Sequence, residues 1–424
     1  MGASRRFQFS AVRTCITVRL WVSVGKLCFC LRQPRTYIDS MKRIKLGLVA
    51  NEFFDLSLGR MGGFGWATRQ LARYFSSHPE LGIDLIFFTG ELCGSIERRE
   101  IVVHDTRLIL KQSGALTNLR LTRSERVDAL LLIDYRPNYG RLCWALPLTP
   151  MIVWVRDPRP PEDVAKVSSL RIPGANGVIP KGIMPLDCTS LGTIARTSRL
   201  LGRPIAFATP EPQLRSKLTG AIGMDIDELS LLPNPIDIEP GDVRKSERPQ
   251  VIFLARLDPY KRPWLFAELA CRFPDVEFLL AGSAYHKGDG TWTPGDLPSN
   301  VRFLGHIDGP QKVRALSSAW FLVNTSIHEG LAVSFLEALA CETPLLACVD
   351  PGGIVSRFGL YAGRFDGTGM EALPALSGGM NRLLSDPGLR LQLGKAGRSW
   401  VRETHNWANF MSSFRDLCAR IGVD

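Results

Sequence analysis

The chain has 424 residues, 45% of them hydrophobic and 22% charged, with 39 Gly and 28 Pro. That length asks for two cores of comparable size, and the composition excludes a disordered, fibrous or low-complexity chain. The net charge of +11 suggests nucleic acid only until it is located. Residues 1–40 hold seven basic residues against Asp39 alone, so +6 of the excess lies there and the rest of the chain is mildly basic. A solvated face is the simplest reading of that remainder, an anionic ligand or membrane surface also fits, and no nucleic-acid partner is expected.

Within residues 7–31, Arg13, Arg19 and Lys26 interrupt the apolar run, which therefore falls short of the ~20 residues a membrane helix needs. The leader is Arg-rich and acid-poor like a targeting peptide, but Met41 is followed at once by Lys-Arg and a clean apolar run, which also fits an upstream start codon. Residues 1–40 are expected to stand outside the fold. Three of the ten Cys fall there, and the other seven show neither Cys-x-x-Cys spacing nor a neighbouring His pair, so no zinc or other metal site is expected. Cys271 and Cys341, set in apolar stretches, read as buried small hydrophobes in a reducing compartment. The expected location is the cytoplasm, with peripheral contact at the inner face of the membrane left open.

From Met41 onward short β-branched runs alternate with helical patterns, the mark of parallel βαβ units. The first series comprises strands Ile44 to Ala50, Ile83 to Thr89, Ala129 to Ile133 and Met151 to Val155, with a helix from Gly65 to Ser76. A helix from Glu211 to Thr219 leads to the turn-rich Pro233-Asn234-Pro235-Ile236-Asp237, where the junction between two domains is expected. The second series comprises strands Val251 to Ala255, Glu277 to Ala281, Val301 to Leu304 and Phe321 to Asn324, with helices Pro263 to Phe273 and Gln311 to Ser317. The fold class is α/β, with two doubly wound, Rossmann-like domains over 41–235 and 236–404. The amphipathic segment His405 to Ile421, with Trp407, Phe410, Phe414 and Leu417 at helical spacing, is expected on a core face or at the domain seam.

Two stretches carry chemistry. Ser326-Ile327-His328-Glu329-Gly330-Leu331 leads from a strand into a helix containing Glu337. A helical turn of ~100° per residue would set two glutamates eight apart about 80° from each other, but Glu329 precedes the helix, so both can border one pocket. Amides from Gly330 onward would point out of the helix N-terminus, where a diphosphate is held by orphan donors and the dipole. The second stretch, Arg256-Leu257-Asp258-Pro259-Tyr260-Lys261, sits at the C-terminal edge of a strand, where ligands of open α/β sheets gather. Arg256 offers a bidentate fork and Lys261 a point charge, suited to a departing diphosphate if no metal neutralises it. Alone, such a pair is ordinary surface charge.

Together, Arg256-x4-Lys261, Glu329-x7-Glu337, Val301-Arg302-Phe303-Leu304-Gly305-His306 and Pro233-Asn234-Pro235-Ile236-Asp237 resemble the retaining glycosyltransferases of family 4, with the GT-B fold. The resemblance covers roughly Ile44 to Phe414 and is weaker in the first half. It implies a nucleotide-sugar donor, a sugar or lipid-linked hydroxyl acceptor, no cofactor and no required metal. It also implies that Arg256 and Lys261 hold the donor diphosphate, Glu337 the ribose and Glu329 the transferred sugar, with backbone amides from Gly330 and Leu331. Gly62 and Gly63 match the family's glycine loop; without that context they are a plain strand-to-helix turn.

The sequence departs from the family where a His commonly follows an N-domain strand, since Arg156 stands there. Asp157 and Arg159 beside it fit either a sugar- or acceptor-facing position or a capped surface turn. Gly63-x-Gly65 lacks the third glycine of a dinucleotide fingerprint, and Asp225-Ile226-Asp227 reads as a helix start or a loop rather than a metal site. Two alternatives to transfer remain at this level: a sugar-nucleotide epimerase of the same fold, and a non-catalytic nucleotide-sugar-binding subunit.

Overall fold

A computed structural model describes residues 43–423 apart from 51, 53–61, 93–99, 104, 113, 137–138, 174–188, 223–224, 226–227, 239–240, 242, 285–291 and 296. The leader, the Gly59–Met61 part of the glycine loop, and Ile226 and Asp227 therefore lie outside the described residues. The first sheet is built from β1 (Ile44–Ala50), β2 (Ile83–Leu92), β3 (Glu100–Val103), β4 (Thr106–Lys111), β5 (Ala129–Ile133), β6 (Met151–Trp154), β7 (Ile205–Thr209) and β8 (Ser230–Leu231). Its helices are α1 (Gly63–Ser77), α2 (Ala115–Ser124), α3 (Gly140–Ala145), α4 (Pro161–Ser168), α5 (Thr189–Leu201) and α6 (Pro212–Ile222). The strand order is β3-β4-β2-β1-β5-β6-β7-β8, parallel except for the β3/β4 hairpin.

The second sheet contains β9 (Gln250–Leu254), β10 (Glu277–Ala281), β11 (Val301–Gly305), β12 (Phe321–Asn324), β13 (Leu345–Ala347) and β14 (Gly359–Tyr361), in the order β11-β10-β9-β12-β13-β14. Its helices are α7 (Pro263–Arg272), α8 (Gly309–Ser318), α9 (Val333–Ala340), α10 (Ile354–Phe358), α11 (Leu373–Ser385) and α12 (Pro387–Thr404), and α13 (Trp407–Arg420) ends the chain. Each sheet is covered on both faces, which is why its strands read as nearly continuous apolar runs. Leu46 and Leu48 point to one face, with Trp66, Leu71 and Phe75 of α1, while Val49 points to the other. In the second sheet Val251 and Phe253 meet α7 and α11, whereas Ile252 faces α9 and α12.

The final segment forms α13, capped by the Asn406 side chain accepting the Asn409 amide at 2.8 Å. Its apolar stripe enters the core of the first sheet: Phe410 lies 5.7 Å from Trp154 and Trp407 stacks on Tyr74 at 3.7 Å. The helix thus covers a core face, because a stripe of three aromatic rings gains most where both sheet and α1 can bury it. The chain returns to the first sheet beside its outward crossing, where the Ile236 amide donates to the His405 carbonyl at 2.8 Å. One cysteine reading needs correction. Cys341 is fully buried, but Cys271, in the last turn of α7, is exposed, since its position on the helix faces away from the sheet.

These sheet orders fix where a ligand can sit. Neighbouring strands diverge in connection between β1 and β5 in one sheet and between β9 and β12 in the other, and a crevice opens beyond their C-terminal ends. The segments that follow those strands hold Glu52 and the glycine loop, Asp134, Arg256 to Lys261, and Thr325 to Glu329.

Candidate functional site

The loop after β9 tightens into a short 3-10 turn, Pro259–Lys261, closed by Arg262 in the left-handed region at φ 48°. Arg262 is fully buried. Its guanidinium donates to the carbonyls of Thr325 (2.7 Å), Ser326 (3.0 Å) and Phe365 (2.7 Å), satisfying a buried charge with backbone oxygens. The Thr325 hydroxyl in turn donates to the carbonyls of Lys261 and Arg262. The two motif loops are therefore laced together before any ligand arrives.

On that scaffold Lys261 Nζ lies 2.6 Å from Glu329 Oε1, which also accepts from Ser326 Oγ (2.6 Å) and Asn324 Nδ2 (3.2 Å). Burial alone would raise the Glu329 pKa, but Lys261 and the two neutral donors outweigh it and hold the carboxyl below its usual range. Arg256 reaches Asp258 (3.1 Å), bonds the Tyr260 hydroxyl, and approaches Glu52 at 3.9 Å. Glu52, which follows β1, accepts the amides of Gly62 (2.6 Å) and Gly65 (2.8 Å) at the start of α1. An anion is thus already held at that helix mouth, between backbone donors and Arg256.

The glycine loop and the Glu329 loop face each other. A β-carbon added at Gly63 would come within 3.9 Å of Val333, and one at Gly330 would fall 2.5 Å from the Arg156 carbonyl oxygen and 3.2 Å from the Asp157 α-carbon. Close approach of two backbones requires glycine at position 330. Helix α9 begins at Val333 with Ala332 as its N-cap, so Gly330 and Leu331 form the bend leading into it rather than its first turn. The Leu331 side chain is buried in the core beneath that bend.

Glu337, one turn into α9, is buried and paired with Lys312 at 2.6 Å. Lys312 also meets Asp308 at 3.3 Å, and Asp308 pairs with Arg69 of α1 at 2.5 Å. Burial lifts the Glu337 carboxyl above its usual range in spite of Lys312. Of the expected residues, then, Arg256, Lys261, Glu329, Gly62, Gly63 and Gly330 line one junction between the two sheets. Glu337 joins it through the Lys312–Asp308–Arg69 chain.

The three residues after β6 are placed differently from a set of side chains presented to a substrate. The Arg156 guanidinium is buried, donating to Asn234 Oδ1 (3.1 Å) and the Gly63 carbonyl (2.7 Å), with its carbon 5.0 Å from the Trp154 ring; burial pulls its pKa down to about 10. It braces the glycine loop against the linker. Asp157 accepts from Arg159 Nε (2.9 Å) and Nη2 (2.5 Å) and from His328 Nε2 (2.8 Å). Asp163, bonded to Lys217 at 2.6 Å, stands 3.7 Å from the other ring nitrogen of His328.

His328 thus carries the second sheet's loop into a nest of carboxylates on the first. Burial alone would lower its pKa, but Asp157 and Asp163 outweigh that and raise it. A raised histidine pKa contributes stability that is complete below the unfolded value of about 6.5 and fades as pH rises through the folded value. The stability gap between wild type and His328→Gln is therefore expected to shrink from pH 6 to pH 9. Thermal melts of both proteins across that range check it, and a constant gap would remove the histidine from the account. Asp157, held well below its usual range, and Asp163, at about 2, stay ionised throughout.

Sequence patterning missed Glu52, Arg69, Asp308, Lys312, Arg262 and His328. Only His328 carried a signal, its place beside Glu329; the others are joined to the site by contacts across tens to hundreds of residues.

Residues 237–400 match the family described as Glycosyl transferases group 1. The matched stretch runs from the linker through β9 and into α12. Among curated relatives it is 28% identical over 144 residues to a GDP-mannose-dependent monoacylated alpha-(1-6)-phosphatidylinositol monomannoside mannosyltransferase of Corynebacterium glutamicum, covering 32% of this chain and 36% of that one. It is 29% identical over 191 residues to the alpha-maltose-1-phosphate synthase of Mycolicibacterium smegmatis, covering 42% and 49%. The matches span about a third to a half of those relatives. Among solved structures, the sucrose-phosphate synthase of Thermosynechococcus elongatus superposes with a TM-score of 0.65 at 18% identity, over 90% of this chain and 99% of that one. The Anabaena protein HepE in complex with UDP-glucose gives 0.64 at 14% identity, over 89% and 100%. These likenesses establish the GT-B fold, two α/β sheets facing one crevice. Among the described residues no helix is long and apolar enough to cross a membrane.

Proposed function

We propose that the chain is a retaining glycosyltransferase that moves a sugar from a nucleotide-sugar donor to a hydroxyl acceptor, in polysaccharide or glycoconjugate synthesis. The observation that carries this reading is the meeting of Arg256, Lys261 and buried Glu329 with the mouth of α9, opposite Gly62 and Gly63 of the other sheet. In the reading, residues 236–404 bind the donor and residues 41–235 present the acceptor. Retention of configuration follows the family rather than the geometry.

Charge grows on the nucleoside diphosphate as the glycosidic bond breaks, so groups aimed at that charge lower the barrier instead of merely binding substrate. Arg256 and Lys261 take that role, with the first free amides of α9. Arg256 exchanges its contacts with Glu52 and Asp258 for phosphate oxygens, and Lys261 bridges phosphate and Glu329. The carboxylate of Glu329, held ionised, contacts the sugar, and Glu337 with Lys312 meets the ribose. Closing the crevice excludes water, which protects the donor from hydrolysis.

A guanidinium and an ammonium replace a divalent ion in this scheme, so transfer is expected to survive millimolar EDTA with less than about twofold loss. A tenfold drop restored by magnesium would reject metal independence. The activity itself is tested by incubating the protein with a panel of nucleotide sugars. Donor-dependent release of nucleoside diphosphate with an acceptor present supports transfer. Conversion of donor alone to its epimer, or tight binding with no turnover across the acceptor panel, contradicts it.

A further inference from the structure

A second concavity, of about 350 Å³, lies on the other face of the first sheet, between its strands and helices α2 and α3. Its wall is mostly hydrocarbon, from Val49, Phe88, Ile109, Leu119 and Leu142, with Lys111 and Thr122 among its polar members. Two of the polar side chains in that wall are engaged with backbone. The Thr89 hydroxyl accepts the Lys111 amide at 2.9 Å, and the Asn118 side chain bonds the Gln112 amide and the Gln112 and Gly114 carbonyls. A polar ligand gains little from so apolar a lining, whereas burying an alkyl chain in it recovers most of that chain's transfer free energy. An apolar cavity of roughly 150 Å³ takes one benzene ring, so this one has room for a chain of about a dozen carbons.

The mouth carries two large apolar side chains left in solvent, Leu116 at 70% exposure and Trp144 at 62%. One turn beyond Leu116 on the same helix face stands exposed Arg120, followed by exposed Arg123, and α2 contains no acidic residue. An apolar shaft with a cationic rim is complementary to an anionic amphiphile. The C-terminal end of β1 links the shaft to the candidate site. Val49 in its wall and Glu52 at the glycine loop are three residues apart, so their backbones lie within roughly 10 Å.

We propose that this pocket seats the hydrocarbon chain of an anionic amphiphilic acceptor whose hydroxyl reaches the crevice beside Gly62 and Glu52. The inference rests on the transfer reading above and specifies its acceptor class. The full-length protein is titrated with monomeric dodecyl phosphate, followed by calorimetry and Trp fluorescence. One saturable site per chain is expected, with butyl phosphate at least about 30-fold weaker and dodecyltrimethylammonium at least about 10-fold weaker. Leu119→Trp, which fills the shaft, is expected to lose binding by at least about 30-fold, and Arg120→Glu, on the surface, by about 10-fold.

Absence of a saturable site, equal affinity for butyl and dodecyl phosphate, or unchanged binding in both variants overturns the proposal. Loss of association with phosphatidylglycerol-containing vesicles in Leu119→Trp also overturns it, because the pocket would then hold bilayer lipid rather than acceptor. The thermal shift given by nucleoside diphosphates reports separately on the donor site. It is expected to be the same in wild type and Leu119→Trp, which also shows that variant folded. Its absence from wild type strikes the transfer reading, while the dodecyl phosphate result speaks to the pocket alone.

Discussion

Replacing Lys261 by alanine is expected to slow donor turnover by about 10²- to 10³-fold, the usual cost of removing one preorganised group that meets charge in a transition state. The expected loss has two parts. Lys261 would no longer face the departing diphosphate, and Glu329, buried with Lys261 as its nearest cation, would lose the charge that keeps it ionised. Arg256→Ala is expected to fall in the same range, since its guanidinium is the other group facing the crevice. Nucleoside diphosphate release from the donor that stabilises wild type most is the readout. Turnover within threefold of wild type in both variants would take the diphosphate away from this pair.

Gly282→Ala is expected to be the most damaging single-methyl change in the second sheet. Gly282 adopts φ 148°, and an added β-carbon would lie deep inside the Ala255 carbonyl oxygen, with the Gly282 amide bonded to the Gly305 carbonyl at 2.7 Å. Backbone atoms on three strands would have to move together, so strain and overpacking add to more than about 4 kcal/mol. Ala255 immediately precedes Arg256, so any protein that does fold should also bind nucleoside diphosphates poorly. Gly295→Ala, in an exposed position with nothing near its added methyl, should stay within about 0.5 kcal/mol. Urea unfolding midpoints compare them; equal midpoints would mean that the strands tolerate the methyl group.

Much of this architecture is legible before any coordinates. Runs such as Ala129–Ile133 and Phe321–Asn324 are short, apolar and buried on both faces, and only a covered parallel sheet uses strands of that kind. The β3/β4 hairpin escaped because Glu100, Arg107 and Lys111 break the apolar pattern at an exposed sheet edge. The sequence pattern puts the start of α9 three residues early, since glycine and leucine suit either a bend or a first turn.

The candidate site divides in the same way. Arg256, Lys261, Glu329 and Glu337 stand out by type and spacing; Lys261 pairs with Glu329, Arg256 approaches the Glu52 that holds the Gly62 amide, and Gly63 lies against Val333 of α9. Burial, by contrast, cannot be read from residue type. Arg262 is a charge that folding turns into a backbone clamp, and Arg156 braces the linker instead of facing open space. Asp157 and His328 are 171 positions apart, a contact that only the completed fold creates.

Calorimetric titration with UDP, GDP and ADP, each beside its parent nucleoside, bears most directly on the diphosphate claim. At least one diphosphate should bind wild type at least about 100-fold more tightly than its nucleoside, and that advantage should collapse in Lys261→Ala and Arg256→Ala. If nucleoside and diphosphate bind alike, or both variants keep the full difference, the crevice between the two sheets is not a pyrophosphate site.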